Sequence, residues 1–233
     1  MAGRGENFSG QSVYPDELLG PLNEVERRYA PSSLWVSGDP DLLNLTSRVA
    51  VIGTRNPSEE GIKNAEKITK FLVENDIVVV SGLAKGIDTI VHETAIRLGG
   101  RTIGVIGTPL EKFYPSSNKK LQEEIARNHF LLSQFASGSA IQPKNFILRN
   151  RTMALFSHAS IIIEAGETSG SLSQGWEMLR LNRPLFFLEE LVNSKLSWPN
   201  KLKDYGAAPL LIENLERVID HLPVPGVEVH ASE

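Results

Sequence analysis

One rhythm constrains this chain more than any other feature. From Arg48 onward, uninterrupted apolar runs begin every 20 to 30 residues. They are RVAVIG (48–53), IVVVSG (77–82), TIGVIG (102–107), HFLLSQF (129–135), ASIIIEAG (159–166), PLFFL (184–188) and PLLI (209–212). Runs that do not alternate with polar residues suit strands covered on both faces, as in a parallel sheet flanked by crossover helices. The segments between them have helical period. SEEGIKNAEKITKFLVEN places Ile62, Ala65, Ile68, Phe71 and Leu72 on one stripe, and DTIVHETAIRLGG ends in a glycine pair suited to a helix C-terminus. The fold expected is α/β: a doubly wound, mostly parallel sheet of at least six strands with helices on both faces. A ligand is expected beyond the carboxyl ends of the strands.

The flanks differ from this core. Residues 1–30 are polar and read as a tail holding one short helix, PDELLGPLNEVERRYA. The stretch SSLWVSGDPDLL reads as a short strand followed by a turn at Gly38-Asp39-Pro40. The core is expected over 31–222, and PVPGVEVHASE (223–233) reads as a disordered tail. No apolar run approaches the ~18 residues of a membrane helix, and the N-terminus has no signal-like apolar region. A cytoplasmic location without a membrane partner is therefore expected. The chain has no cysteine, which excludes disulfides, thiolate metal sites and cysteine nucleophiles.

Five loops carry the chemistry. They are Gly53-Thr54-Arg55-Asn56-Pro57, the loop from Ser81 and Gly82 through Lys85 and Gly86 to Asp88, Gly107-Thr108-Pro109, the segment Pro143 to Arg151, and Glu164 to Ser171. Small residues let backbone N–H groups approach an anion, and helix N-termini add positive partial charge. Arg55, Lys85, Lys144, Arg149 and Arg151 would add full charges, making one rim of the sheet a phosphate-binding surface. A glycine after a strand often serves only its turn, but several such loops on one rim argue for more. The net charge of −4 and a pI near 5.8 exclude a chain-wide basic surface, so any polyanion must be met locally. Neither a Walker A motif nor G-x-G-x-x-G is present, which disfavours an ATPase or a standard dinucleotide enzyme.

The stretches VAVIGTRNPSEEG, VVVSGLAKGIDTIVH, GGRTIGVIGTPLEKFYPSSNKKLQEEI and NFILRNRTMALFSHASIIIEAGETSGSL resemble the DprA/Smf family in order and spacing. The resemblance runs from about Ser33 to Pro184, and more weakly to Ala208. It implies an extended Rossmann-like fold, single-stranded DNA binding and assistance in loading the RecA recombinase during DNA uptake and recombination. It carries the family's DNA-contacting positions onto Gly53, Thr54 and Arg55, and onto Ser81, Gly82, Lys85 and Gly86. It also carries them onto Asn145, Phe146, Arg149, Asn150 and Arg151, and onto Gly166, Ser169, Gly170 and Ser171. Phe146, read alone, is a core residue; with the resemblance it becomes a base-stacking candidate. Ile147, Pro109 and Glu189-Glu190 depart from the family's usual Pro, Gly and Pro-Gly. The chain ends where many relatives carry a winged-helix domain, and a longer N-terminal helical domain is reduced to about 30 residues, so a minimal core is expected.

Other residues read as support. Asp88 and His92, one helical turn apart, suggest a loop brace and a local hydrogen bond; a metal or catalytic role would need further ligands. Glu164 and Glu167 are expected to tie down Arg149 or Arg151. Lys112, Lys119 and Lys120 read as a solvated face. Trp35, Trp176 and Trp198 follow no telling pattern. No catalytic residue, metal or cofactor is expected. The alternatives are a LOG-like nucleotide phosphoribohydrolase or a small-nucleotide sensor on the same fold. The first is disfavoured because the Glu164–Ser171 loop lacks that group's Gly-Gly and paired glutamates. The resemblance also implies a homodimer.

Overall fold

A computed structural model describes residues 12–223. They form a nine-stranded sheet. Seven strands match the seven apolar runs: β3 (Arg48–Ile52), β4 (Val78–Ser81), β5 (Thr102–Ile106), β6 (Phe130–Ser133), β7 (Ala159–Ile162), β8 (Leu185–Leu188) and β9 (Ala208–Leu210). All seven are mutually parallel. The antiparallel strands β1 (Ser12–Val13) and β2 (Leu34–Gly38) extend the β6 edge, giving the order β1-β2-β6-β5-β4-β3-β7-β8-β9. Residues in β3 through β8 are buried throughout. That follows from apolar side chains on both faces of each pleat.

The long helices cover the sheet: α3 (Glu59–Glu74), α4 (Ile87–Arg97), α5 (Lys119–Asn128), α6 (Pro143–Leu155) and α7 (Gly170–Arg180), with short α8 (Trp198–Asp204) and α9 (Glu216–Ile219) near β9. Ser58 caps α3 by accepting the Gly61 amide at 3.0 Å. Helix α3 buries Ala65, Ile68 and Leu72 as its period predicts, and each large side chain contributes about 1.5–3 kcal/mol. Ile62 departs from the expected stripe: it is exposed, and the buried face of that turn is taken by Gly61, Asn64 and Ala65.

The segment before residue 31 holds β1 and two short helices, α1 (Pro15–Leu19) and α2 (Glu24–Tyr29), with Val13 and Leu18 buried in the core. A latch at the amino ends of the strands holds α2. The Arg183 guanidinium donates to the carbonyls of Ala154, Leu155 and Ser157 and pairs with Glu26. Next to it, buried Arg48 donates to the carbonyls of Phe156 and Leu43, and its side chain meets His158 at 3.0 Å. Burial, then the positive charges of Arg48 and Arg183, push the His158 pKa down to about 3. At the other terminus Ser47 donates to the Pro223 carbonyl at 3.0 Å. The rest of the tail expected to be disordered, 224–233, lies outside the described residues.

Candidate nucleic-acid interface

The chain winds outward from β3 in both directions. Strands β4, β5 and β6 follow on one side, and β7 and β8 lie on the other. The loops leaving β3 and β7 therefore diverge, and a crevice must open at their carboxyl ends. A groove of about 730 Å³ lies there. It is lined by Gly53, Thr54 and Arg55 after β3, by Gly166 and Thr168 to Ser171 after β7, and by Phe146, Arg149 and Asn150 of α6.

The β4 loop is built to a tight tolerance. Asp88, in the first turn of α4, accepts the Gly82 and Ala84 amides at 3.2 and 3.3 Å. The Ile87 amide donates to the Thr54 carbonyl at 3.1 Å and joins this loop to the β3 loop. Gly86 has φ +86°, and a Cβ there would stand 2.7 Å from the Arg55 carbonyl carbon, so only glycine fits. Arg149 lies beneath, donating to the Val105 carbonyl at 2.8 Å and to the Gly82 carbonyl. Burial holds Arg149 below the usual guanidinium range, opposed by neighbouring Asp88 and reinforced by Arg55. Burial likewise pushes the Asp88 carboxyl up, opposed first by Arg149.

An aromatic and cationic wall faces this loop. The Phe146 ring packs against backbone at Gly107, where a Cβ would meet it at 2.7 Å. Tyr114 lies 5.1 Å from Phe146 between centroids, tilted by 44°. The Arg55 guanidinium sits 5.9 Å from the Phe146 centroid. Arg55 and Tyr114 are exposed and Phe146 half-buried. Opposite, Ser169 caps α7 by accepting the Ser171 amide, and Ser171 donates to the Gly53 carbonyl at 2.9 Å. Gly166 and Gly170 have open space where a side chain would be. A chain of phosphates can approach the backbone there, and flat bases can lie against the rings.

The predicted residues divide into three groups. Gly53, Thr54, Arg55, Phe146, Gly166, Ser169, Gly170 and Ser171 are brought together at the groove. Ser81, Gly82, Asn145, Arg149 and Asn150 are buried, although Arg149 and Asn150 also line the groove. Ser81 donates to the Val51 carbonyl, Asn145 to Ala140 and Asn150 to Gly170, so their polar groups serve the scaffold. Gly86 and the exposed Lys85 and Lys144 lie outside the groove's lining, and Arg151 turns to Glu177 at 3.2 Å. Five free cations on one rim are thus not what the structure holds: of the five, Arg55 is both exposed and in the groove. For Arg149 the reason is helical period, since it follows Asn145 by one turn onto the buried face of α6.

The supporting carboxylates also differ from expectation. Glu164 accepts the Ser58 amide and hydroxyl at 3.0 and 2.9 Å, and Glu167 accepts the Ser197 amide at 3.0 Å. Asp88 and Glu177 neighbour Arg149 and Arg151 instead. Asp88 acts as the expected loop brace. His92 makes the expected local bond, Nδ1 to the Thr102 hydroxyl at 2.7 Å, and burial lowers its pKa to about 3. Tyr114, Ile141, Gln142 and Gln174 line the groove and carry no motif that marks them in the sequence. No group of three His, Cys, Asp or Glu side chains suited to a metal occurs among the described residues. No helix among them is long and apolar enough to cross a membrane.

Comparison with known proteins decides the lineage. The family model described as DNA recombination-mediator protein A matches residues 8–223. The chain belongs to that family. It is 42% identical to the DNA processing protein DprA of Streptococcus pneumoniae, covering 82% of this chain and 67% of that protein. Identity to the Bacillus subtilis protein of the same name is 34%, over 85% of this chain and 66% of the relative. The chain thus spans about two thirds of the length of these relatives.

Solved structures agree. The S. pneumoniae protein superposes with a TM-score of 0.77 at 34% identity, covering 91% of this chain and 74% of that one. A Helicobacter pylori DNA processing protein A, solved for its single-stranded DNA binding mode, gives 0.77 at 27% identity, covering 94% of this chain and 100% of that one. The Chlamydomonas reinhardtii molybdenum cofactor carrier protein shares the fold alone, with a TM-score of 0.53 at 15% identity over 76% of this chain and 98% of that one.

Proposed function

We propose that this chain is a recombination mediator that binds single-stranded DNA in the rim groove without hydrolysing it. The observation that carries this reading is the wall formed by Arg55, Phe146 and Tyr114 opposite the open Gly166–Ser171 loop. Phosphates would meet Arg55 and the backbone amides of the glycine-rich loops, while bases stack on Phe146 and Tyr114. Stacking accepts any base, so sequence preference is slight. The DNA-binding H. pylori relative supports the reading. Arg149, Asn145 and Asn150 act in it as the supports that shape the groove. RecA as the recipient of the strand, a homodimer that aligns two grooves along one strand, and a cytoplasmic setting complete the proposal. Joining two modest sites raises avidity without new contacts.

A small-nucleotide reading has one supporting observation: 730 Å³ lies within the usual size of a small-ligand pocket. Its hydrolase version is weakened because Glu164, the loop's first carboxylate, is engaged as a partner of the Ser58 cap. Fluorescence titration with a thymidine oligomer, competed by thymidine monophosphate, tests the choice. Strand binding that weakens steeply with salt and resists the mononucleotide is expected. Equal affinity for the mononucleotide, or release of free base from it, would replace this proposal with the sensor or hydrolase.

A further inference from the structure

Helix α3 leaves the rim directly behind Arg55 and separates two clefts of opposite charge. On its α4 side a cleft of about 290 Å³ is lined by Lys63, Lys67, Lys70 and Arg97, with Glu66 as its one carboxylate. On its β8–β9 side a cleft of about 240 Å³ is lined by Glu60, Glu189, Glu190 and Glu213, with Lys67 between the two. The chain is acidic overall, so an excess of three cations in one cleft is a local concentration. Arg97 is committed to Glu66 at 3.3 Å and Lys70 to Glu74 at 3.6 Å, both exposed pairs of little strength. Lys63 and Lys67 make no ion pair among the described residues, and both are exposed.

From these charges we infer that the α3–α4 cleft is a second contact surface for single-stranded DNA, taking the strand as it leaves the rim groove. The inference rests on the DNA-binding reading above and adds the direction of the path. Lys63, Lys67 and Lys70 are spaced i, i+4, i+7, a row on one face of α3. At 1.5 Å rise per residue the row starts about 7 Å beyond the Ser58 cap and extends about 10 Å further. A backbone passing Arg55 meets a cationic row on one side of α3 and four carboxylates on the other. Repulsion from the second cleft and attraction to the first both select the α4 side. The row has no aromatic lining, so it would hold phosphates only and read no sequence.

The test compares oligomer lengths. Thymidine oligomers of about 6 and about 20 nucleotides, spanning the usual site sizes, are titrated against wild type and the combined variant Lys63→Gln, Lys67→Gln, Lys70→Gln. Gln keeps helix propensity, and these side chains are exposed, so folding is retained. Lys120→Gln, Lys195→Gln, Lys203→Gln makes the same net-charge change elsewhere. The α3 variant is expected to leave the short oligomer unaffected. For the long one it should flatten the log–log salt slope by roughly 2, at about 0.7 per lost phosphate contact. The control variant should leave both unchanged. An unchanged slope for the long oligomer, or equal flattening by the control, overturns this inference and leaves the groove assignment standing. Failure of wild type to bind either length removes both.

Discussion

The two ends of the sheet use the same residue type in opposite ways. At the amino ends of the strands, Arg48 and Arg183 spend their guanidinium groups on carbonyls of the chain and on Glu26. At the carboxyl ends, Arg55 is exposed beside an aromatic ring, and the loops around it carry glycine where side chains would close the groove. Arg149 belongs in function to the first class although it lies at the second end, because its donors are taken by Gly82 and Val105. Charge count alone does not mark a polyanion site; a cation marks one only if its donors are free and water-facing.

If the amino end is a latch, breaking it costs stability and leaves the rim intact. Arg183→Met strips three carbonyls and Glu26 of their donor, and urea unfolding is expected to show a loss of about 3–5 kcal/mol. The folded fraction of that variant should bind a thymidine oligomer with the wild-type salt slope.

Acid probes two buried histidines, His158 at that end and His92 of α4, bonded to Thr102. His158 and His92 are held near a pKa of 3 in the folded chain against about 6.5 unfolded. Above pH 6.5 both are neutral in either state and cost nothing. As pH falls from 6.5 toward 3 the unfolded chain gains protons that the folded chain refuses, so stability drops over that window. A loss of a few kcal/mol between pH 7 and pH 4, measured by urea unfolding and reduced in the variant His92→Gln, His158→Gln, is the expected outcome.

At the rim the effects fall on binding. Phe146→Ala should weaken binding of a thymidine oligomer by ~1–3 kcal/mol and leave the salt slope unchanged, since stacking releases no counterions. A flattened slope would mean that the ring works by positioning Arg55 and not by stacking.

How far this division was legible depended on period. The seven parallel strands were plain because buried strands are written as unbroken apolar runs, and β2 was visible in LWVSG. Strand β1 has two residues, too few to show any period. The loops of the groove were legible from Gly53-Thr54-Arg55 and Thr168-Ser169-Gly170-Ser171, because close backbone approach demands small residues. The depth of the α6 cations is written in its helical period. Asn145, Arg149 and Met153 are spaced i, i+4, i+8 and share the buried face of α6, while Lys144 and Ile147 are on its exposed side. Tyr114 lies in KFYPSSN, where nothing local predicts that the loop folds back to Phe146. That contact is made by tertiary structure alone.

On the proposed function, a polyanion meets the protein through Arg55 at the carboxyl rim. Log affinity for a thymidine oligomer against log salt, for wild type and Arg55→Ala, tests it most directly. A weaker complex with a slope flattened by about 0.7, one phosphate contact, is predicted. Wild-type affinity and slope in the variant would contradict the claim.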